Sequence, residues 1–397
     1  MKCKLSDICS FASEKIDVAL LSKTSYISTE NMLPYKAGVT TATSLPTVNQ
    51  TQAFKSNDVL ISNIRPYFKK IWYATFDGGC SNDVLVLRAK ADIDPHYLYY
   101  LLADDVFFDY ATATAKGTKM PRGDKAAIMK FEVNVYDIAV QRKIVSLLAD
   151  IDAKIALNNA INCNLEQQAQ ALFKSWFIDS AESIEWQRGT FSKLIQSTLN
   201  GDWGKECPSG NNTEKVYCIR GADIPDVKSG NKGKMPTRYI IPKNYASKKL
   251  EAGDIVIEIS GGSPTQSTGR CTAITQSLLE RYDSGMVCTN FCKAIKPLSE
   301  YSLFVYYYWQ YLYDKGVFFS YENGTTGIKN LDFSGFIETE PIIIPPLKKI
   351  FDFNYYCQTI QDQIFANGKQ IEQLSQIRDT LLPKLMTGEI DVSKVEL

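Results

Sequence analysis

The chain has 397 residues, of which 45% are hydrophobic and 22% are charged, so it is long enough for two domains with buried cores. Its 44 basic and 44 acidic residues cancel, which excludes a globally basic protein. Any contact with nucleic acid must therefore rest on local basic patches.

The first 140 residues carry signals for strands, with one aromatic helix. A short buried strand is predicted over Asn57–Ile61, and Cys80–Asp83 precedes another. Tyr97–Leu102 has the spacing of a helix whose aromatic side chains pack in a core, and we favour that interpretation over base stacking. A Gly117-Thr118 turn follows. We predict a strand-rich domain over residues 1–140.

A long helix is predicted over residues 141–180. Apolar residues, together with Asn158 and Asn162, recur there at alternating spacings of four and three, which is typical of a helix packed lengthwise on another helix. The predicted seam residues are Ile144, Leu148, Ile151, Ile155, Asn162, Leu165 and Leu172.

Residues 181–346 repeat the plan of the first domain. Gly253–Ile257 matches the first strand, Cys288–Phe291 matches Cys80–Asp83, and Leu303–Tyr308 matches the aromatic helix. The order of these elements is the same in both halves. This favours an internal repeat over two unrelated α/β domains with similarly spaced turn signals.

A second long helix with its tail is predicted over residues 347–397, and its seam has the same spacing as the first. Its predicted seam residues are Ile360, Ile364, Asn367, Ile371, Leu374, Leu381 and Leu385. We predict that the two helices form an antiparallel coiled coil, with Ile144 near Leu385 and Asn162 near Asn367. The alternative is that each helix packs on its own domain. Helices of roughly 35–40 residues would be about 55 Å long and would hold the two domains at a separation of about 16 base pairs.

Basic residues concentrate in loop-like segments despite the neutral total. They lie in residues 62–70 and 116–123 of the first domain and in residues 220–250 of the second, where residues 324–330 are the equivalent of 116–123. Such loops can approach phosphates and base edges, although a solvated basic loop is the simpler alternative. Arginine suits guanine and asparagine suits adenine, whereas lysine suits phosphates. The predicted DNA-binding residues are Asn63, Arg65, Lys69, Lys70, Lys119, Arg122, Arg220, Lys232, Lys234, Arg238, Ser263, Arg270, Thr325, Lys329 and Asn330.

No catalytic motif is found in the sequence. The Asn/Asp-Pro-Pro-aromatic loop of adenine methyltransferases and the Walker loop are both absent. A nuclease interpretation of Asp254 and Glu258 is less favoured than a solvent-facing position for both on an alternating strand. The single histidine, His96, is interpreted as structural.

Ten cysteines without a CxxC pair favour reduced thiols over a metal site. The sequence has neither a signal-peptide pattern nor an apolar run of the roughly 20 residues that span a bilayer. We therefore expect a cytoplasmic protein without a membrane partner.

The whole plan resembles the specificity subunits of Type I restriction-modification systems. The segments that carry the resemblance are Gln141–Val145, Ile151–Ile155, Gln170–Phe177, Glu258–Pro264, Thr268–Arg270 and Arg378–Ile390. Leu347–Ile350 departs from the Gln-Arg-Lys-Ile pattern of the first helix, which leaves the start of the second helix open.

The resemblance implies an α+β fold with a pseudo-two-fold repeat, in which two α/β target-recognition domains, 1–140 and 181–346, are joined by the paired helices. It also implies double-stranded DNA as a partner, together with two modification subunits and restriction subunits. S-adenosylmethionine and ATP would then be bound by those partners and no cofactor by this chain. Two alternatives remain: part of a fused restriction-methylation enzyme, and a coiled-coil scaffold without a DNA role.

Overall fold

The computed structural model describes residues 2–263, 265–324 and 328–392. The chain forms two compact units. The first contains the chain up to Ala153 together with the chain from Ser375 onward, and the second runs from Lys154 to Leu374. Within the described ranges, no helix has both the length and the apolar composition that crossing a membrane requires.

The first unit contains two four-stranded sheets and a short ribbon. One sheet has the strand order Cys9–Phe11, Val84–Ala89, Val59–Ser62, Ile71–Tyr73, and the other Lys15–Asp17, Gln50–Phe54, Gly78–Cys80, Tyr26–Ile27. The ribbon pairs Lys2–Lys4 with Glu132–Asn134. The short helices are Leu5–Ile8, Pro95–Ala103, Asp105–Ala113 and Lys125–Ile128.

The second unit repeats the four-stranded sheet and adds smaller ones. Its main sheet has the order Ile195–Asn200, Cys292–Pro297, Ile255–Glu258, Cys271–Ala273. The three-stranded sheets have the orders Thr237–Ile240, Glu214–Ile219, Gly285–Cys288 and Ser260–Gly261, Lys329–Leu331, Glu322–Asn323, and a ribbon pairs Gln187–Gly189 with Ile342–Ile344. The short helices are Ile224–Lys228, Pro242–Lys248, Gln276–Leu279, Ser302–Asp314 and Phe333–Thr339.

The aromatic helices are core elements, as predicted. In Pro95–Ala103 the side chains of Tyr97 and Tyr100 are buried, and in Ser302–Asp314 the run from Phe304 to Gln310 is buried throughout. Helical spacing of large apolar residues therefore reports packing here rather than base stacking.

The two long helices extend over Ile138–Phe173 and Leu347–Thr387. We name them the central helix and the C-terminal helix. The central helix begins slightly before the predicted residue 141, and its end continues as a π turn over Lys174–Ile178. The C-terminal helix begins at Leu347, a start that the departure of its first residues from the pattern of the first copy had left open.

Candidate nucleic-acid interface

In the first unit, three loops meet at one edge of the sheet that contains Val59–Ser62 and Val84–Ala89. We call residues 62–70, 81–83 and 116–123 the first loop cluster. The backbone N–H of Asn63 donates to the carbonyl of Asp83 at 2.8 Å, and the N–H of Gly123 donates to the carbonyl of Asn63 at 3.0 Å. A bridge between Ile64 and Arg122 completes the connection. The candidates Asn63, Arg65 and Arg122 are thereby brought together.

The second unit contains the same arrangement in residues 258–263, 289–291 and 328–331, which we call the second loop cluster. The N–H of Ile259 donates to the carbonyl of Phe291 at 2.9 Å, and the N–H of Leu331 donates to the carbonyl of Ile259 at 2.8 Å. Ser260 pairs with Asn330 across the same connection. Ile259 is thus the equivalent of Asn63, and Phe291 is the equivalent of Asp83.

This match gives Arg122 and Asn330 equivalent positions in the two clusters. The side chain of Arg122 is 58% exposed, and its guanidinium lies 3.1 Å from the carboxylate of Asp83. Asn330 is exposed, and its side-chain oxygen accepts a hydrogen bond from the hydroxyl of Ser260. Both residues are base-reading candidates from the sequence, and both lie on an accessible surface.

Two polar atoms of the first loop cluster are buried without a partner among the described residues: Oδ1 of Asn63 and Nε of Arg65. Arg65 also adopts a left-handed backbone conformation, with φ of 52°. A buried polar atom without a hydrogen bond is costly, so both atoms are candidates for contact with a ligand or with water.

The lysines predicted in the first unit differ in their availability. Lys69 pairs with Asp105 at 2.9 Å. The ammonium of Lys70 donates to the carbonyl of Thr29, and burial lowers its pKa. Lys119 is exposed and forms no ion pair with any described residue. Lys119 is therefore the most accessible of the three for a phosphate.

Three arginines of the second unit are committed to acidic or backbone partners. Arg220 holds Asp223 and Arg270 holds Glu258, each through two hydrogen bonds that raise the pKa of the guanidinium. Arg238 is buried, with its guanidinium 4.0 Å from the centre of the Trp203 ring. It also donates to the carbonyl of Trp203. These guanidinium groups therefore hold neighbouring segments of the second unit together.

The remaining candidates of the second unit lie in several environments. The ammonium of Lys232 lies 4.6 Å from the centre of the Tyr282 ring, and Lys329 pairs with Glu322 at 2.7 Å. Lys234 is exposed, and Ser263 is half-buried in a turn. Thr325 lies outside the described residues.

The expectation that Asp254 and Glu258 face solvent is wrong. Both are buried, because Ile255–Glu258 is an inner strand of its sheet and hydrophobic clusters cover both of its faces. Asp254 pairs with Lys296 at 2.9 Å, and Glu258 with Arg270 at 2.7 Å. Their charges are neutralised within the fold. Among the described residues, no group of three or more His, Cys, Asp or Glu is placed to hold a metal ion.

Sequence reasoning missed residues beside a cavity in the second unit. The cavity has a volume of about 410 Å³, and Trp203, Ser260, Asn290 and Phe291 are among the residues that line it. The sequence signal that points to Asn290 and Phe291 is the repeated Cys-Ser/Thr-Asn segment, Cys80–Asn82 and Cys288–Asn290.

The predicted seams are buried or half-buried along both long helices. In the second unit, Asn367 Nδ2 donates to Asn162 Oδ1 at 2.8 Å, as expected for an antiparallel pair. In the first unit, Arg378 donates to Asp152 at 2.9 Å, and Ile144 and Leu385 belong to one hydrophobic core. The prediction that the two helices pack on each other is confirmed within each unit, and the same residues also contact the domain cores.

Comparison with known proteins also finds similarity to the specificity subunits of Type I restriction-modification systems. Residues 1–167 match the model of the Type I restriction modification DNA specificity domain. The chain is 27% identical to the Type I restriction enzyme MjaIX specificity subunit of Methanocaldococcus jannaschii, over 77% of this chain and 71% of that protein. It is 24% identical to the HindI specificity subunit of Haemophilus influenzae, over 97% and 98% of the two chains.

A solved structure has the same fold. The S subunit of a Type I restriction-modification system from M. genitalium aligns with a TM-score of 0.54 and 16% identity, over 97% of this chain and 96% of that one. The chain is thus similar along most of its length to specificity subunits of Type I restriction-modification systems, and its residues 1–167 match the DNA specificity domain of such systems.

Proposed function

We propose that this chain recognises a two-part DNA target, one part through each loop cluster, and brings a methyltransferase to it. The observation that carries the proposal is the equivalence of Arg122 and Asn330. The same backbone hydrogen bonds hold both residues, and both side chains are accessible. Two copies of one backbone arrangement, each carrying different side chains, suit the recognition of two different short DNA sequences.

The accessible side chains fit contact with both bases and phosphates. Arg122 can donate two hydrogen bonds to guanine, and Asn330 can bond adenine through both of its polar atoms. Lys119 and Lys234 are exposed cations suited to phosphates, which position a protein on DNA without reading sequence. Because the net charge is zero, these local contacts would supply the electrostatic part of the affinity.

The role is that of a specificity subunit rather than an enzyme, which is also how each of the relatives is named. S-adenosylmethionine and ATP would be bound by modification and restriction subunits. The long helices have apolar side chains left for such partners: Leu157 and Ile161 on the central helix are exposed, as are Phe351 and Tyr355 on the C-terminal helix. We propose that two modification subunits dock on these faces.

The proposal is tested by mapping methylated bases in cells that carry this chain with its modification subunit. We expect a methylated two-part motif that disappears when the chain is deleted. Replacing residues 1–140 by the first domain of a relative should change one half of the motif and leave the other unchanged. If the complex assembles with an active modification subunit but methylates no two-part motif, the proposal fails and a scaffold role takes its place.

A further inference from the structure

The turn between the strands Gly285–Cys288 and Cys292–Pro297 has a rigid backbone. Two side chains, those of Asn290 and Phe291, lie at its tip. Thr289 is buried, and its hydroxyl accepts a hydrogen bond from the N–H of Phe291 at 3.2 Å. The N–H of Cys292 donates to the carbonyl of Thr289 at 2.9 Å. The carbonyl of Phe291 accepts from both Ile259 and Ser260, so the tip is fixed on both sides.

A neighbouring loop packs closely against this turn. A side chain at Gly201 would overlap the carbonyl of Thr289, and the N–H of Asp202 donates to the carbonyl of Cys288 at 2.8 Å. This close approach places Trp203 in the wall of the cavity that Phe291 also lines. A base reader held in this way loses little conformational freedom on binding.

The two tip side chains have no structural task that explains them. Asn290 is exposed and makes no hydrogen bond with any described residue. Phe291 is 59% exposed, which leaves a large apolar ring in water. A polar amide beside an exposed phenyl ring is the pair of groups that matches an A·T base pair in the major groove. Adenine offers N6 and N7 to asparagine, and thymine offers its methyl group to phenylalanine.

The cavity beside Phe291 favours an apolar contact. Its two charged lining residues are already engaged, Arg220 with Asp223 and Glu258 with Arg270. These two charged groups are therefore not free to read a base edge. The exposed part of Trp203 extends the apolar surface next to Phe291. A thymine methyl group can enter there without leaving the duplex, whereas unstacking a base costs a few kcal/mol.

The first unit contains the same turn with a different second residue. The N–H of Val84 donates to the carbonyl of Ser81 at 2.9 Å, and the N–H of Asp83 donates to the Ser81 hydroxyl at 3.3 Å. Asn82 is exposed at its tip, like Asn290. Asp83 replaces Phe291 and pairs with Arg122. An asparagine at both tips supports a shared role, and the aromatic contact is specific to the second unit.

We propose that Asn290 and Phe291 read one A·T base pair in the part of the target bound by the second unit, Asn290 through adenine and Phe291 through the thymine methyl group. This inference rests on the proposed function, which would supply the target sequence.

The test uses the full chain assembled with its modification subunit, on an oligonucleotide carrying the mapped motif. Each thymine of the second half-site is replaced in turn by deoxyuridine, which removes only the methyl group. We expect one replacement to weaken binding about fivefold or more, and Phe291→Ala to weaken binding of the unmodified DNA by a similar factor while losing that thymine–uracil difference. Asn290→Ala should relax the methylated motif at the same base pair.

Two variants serve as controls. Asn82→Ala should change only the other half of the motif. Ile184→Ala removes an exposed apolar side chain outside the second loop cluster and should leave binding unchanged. Thermal unfolding of every variant verifies that the fold is intact.

Several results would overturn the inference. They are a second half-site without an A·T pair, a thymine–uracil difference that persists in Phe291→Ala, or wild-type binding insensitive to every deoxyuridine. Insensitivity combined with a strong fluorescence increase of 2-aminopurine in the half-site would indicate an unstacked base instead. If no two-part motif is methylated at all, the proposed function has failed, which is a separate result.

Discussion

Asn162 of the central helix and Asn367 of the C-terminal helix form a buried amide pair, in which Asn367 Nδ2 donates to Asn162 Oδ1 at 2.8 Å. Asn162 Nδ2 in turn donates to the carbonyls of Ile364 and Ser229, both at 3.0 Å. One side chain therefore connects the second helix and a domain loop. A polar pair in an apolar seam favours one register because any shift would leave these groups without partners.

The amide pair predicts a coupled response to mutation. Asn162→Leu should lower the free energy of unfolding by about 2 kcal/mol, because it leaves Asn367 and two carbonyls without that partner. Asn367→Leu should cost about 1 kcal/mol. The double variant should lose clearly less than the sum of the two, since both polar groups are then gone. Urea denaturation measures all three, and Asn159→Ala, at an exposed site on the same helix, should change stability by less than about 0.5 kcal/mol. Strictly additive losses would contradict the pairing.

A close contact between two glycines predicts that alanine destabilises the protein at a helical position where it would normally be stabilising. An added side chain at Gly368, in the C-terminal helix, would overlap the carbonyl of Gly230, whose backbone has φ of 82°. Arg281 also donates to that carbonyl at 2.7 Å and to Glu372 at 2.9 Å. The loop at Gly230 is thus docked on the helix.

Gly368→Ala should therefore destabilise the protein by about 1–3 kcal/mol, although alanine normally stabilises a helix relative to glycine by about 1 kcal/mol. The matched control is Ala366→Gly at an exposed position of the same helix, which should show the normal preference for alanine. Chemical denaturation compares the two. A more stable Gly368→Ala protein would mean that the loop does not pack there.

The seam could be predicted from the sequence, whereas most side-chain roles in the loops could not. Burial along a long helix repeats with the helical period, so spacing alone identified Asn162 and Asn367. The role of an arginine depends instead on which carboxylate the fold brings to it. Arg270 and Glu258 are 12 residues apart and meet because a loop turns back beside a buried strand. Nothing in the spacing of either residue indicates that contact.

Arg122 and Lys119 should affect DNA recognition in different ways. Arg122→Ala should weaken binding of the mapped target about tenfold and relax the methylated motif at one base of one half, because a base-reading contact is lost. Lys119→Ala should weaken binding of all sequences alike and make binding less dependent on salt, because it removes a phosphate contact.

Methylation mapping and binding measured over a salt series distinguish the two effects. Lys2→Ala is a suitable control, since Lys2 is exposed in the ribbon outside the loop cluster. An Arg122→Ala protein with an unchanged motif and only a weaker overall affinity would move Arg122 into the class of phosphate contacts.

The single histidine predicts a pH dependence of stability in the first unit. His96 is stacked between Tyr73 and Tyr100, with ring centres 4.3 Å and 5.0 Å away, and burial lowers its pKa below the usual 6.5. In the window between the lowered pKa and 6.5, the unfolded chain binds a proton that the folded chain does not. The stabilising effect of a neutral His96 is thus complete above about pH 6.5 and is lost as the pH falls through the lowered pKa.

His96→Phe should keep the stacking and remove this contribution. The melting temperature of the variant minus that of the wild type should increase by about 2 °C when the pH is lowered from 7.5 to 5. Differential scanning calorimetry measures both temperatures. Buried carboxyl groups with raised pKa, such as Glu166, act in the opposite direction, but they are present in both proteins and cancel in the difference. A difference between variant and wild type that stays constant over this pH range would show that His96 titrates equally in the folded and unfolded chains.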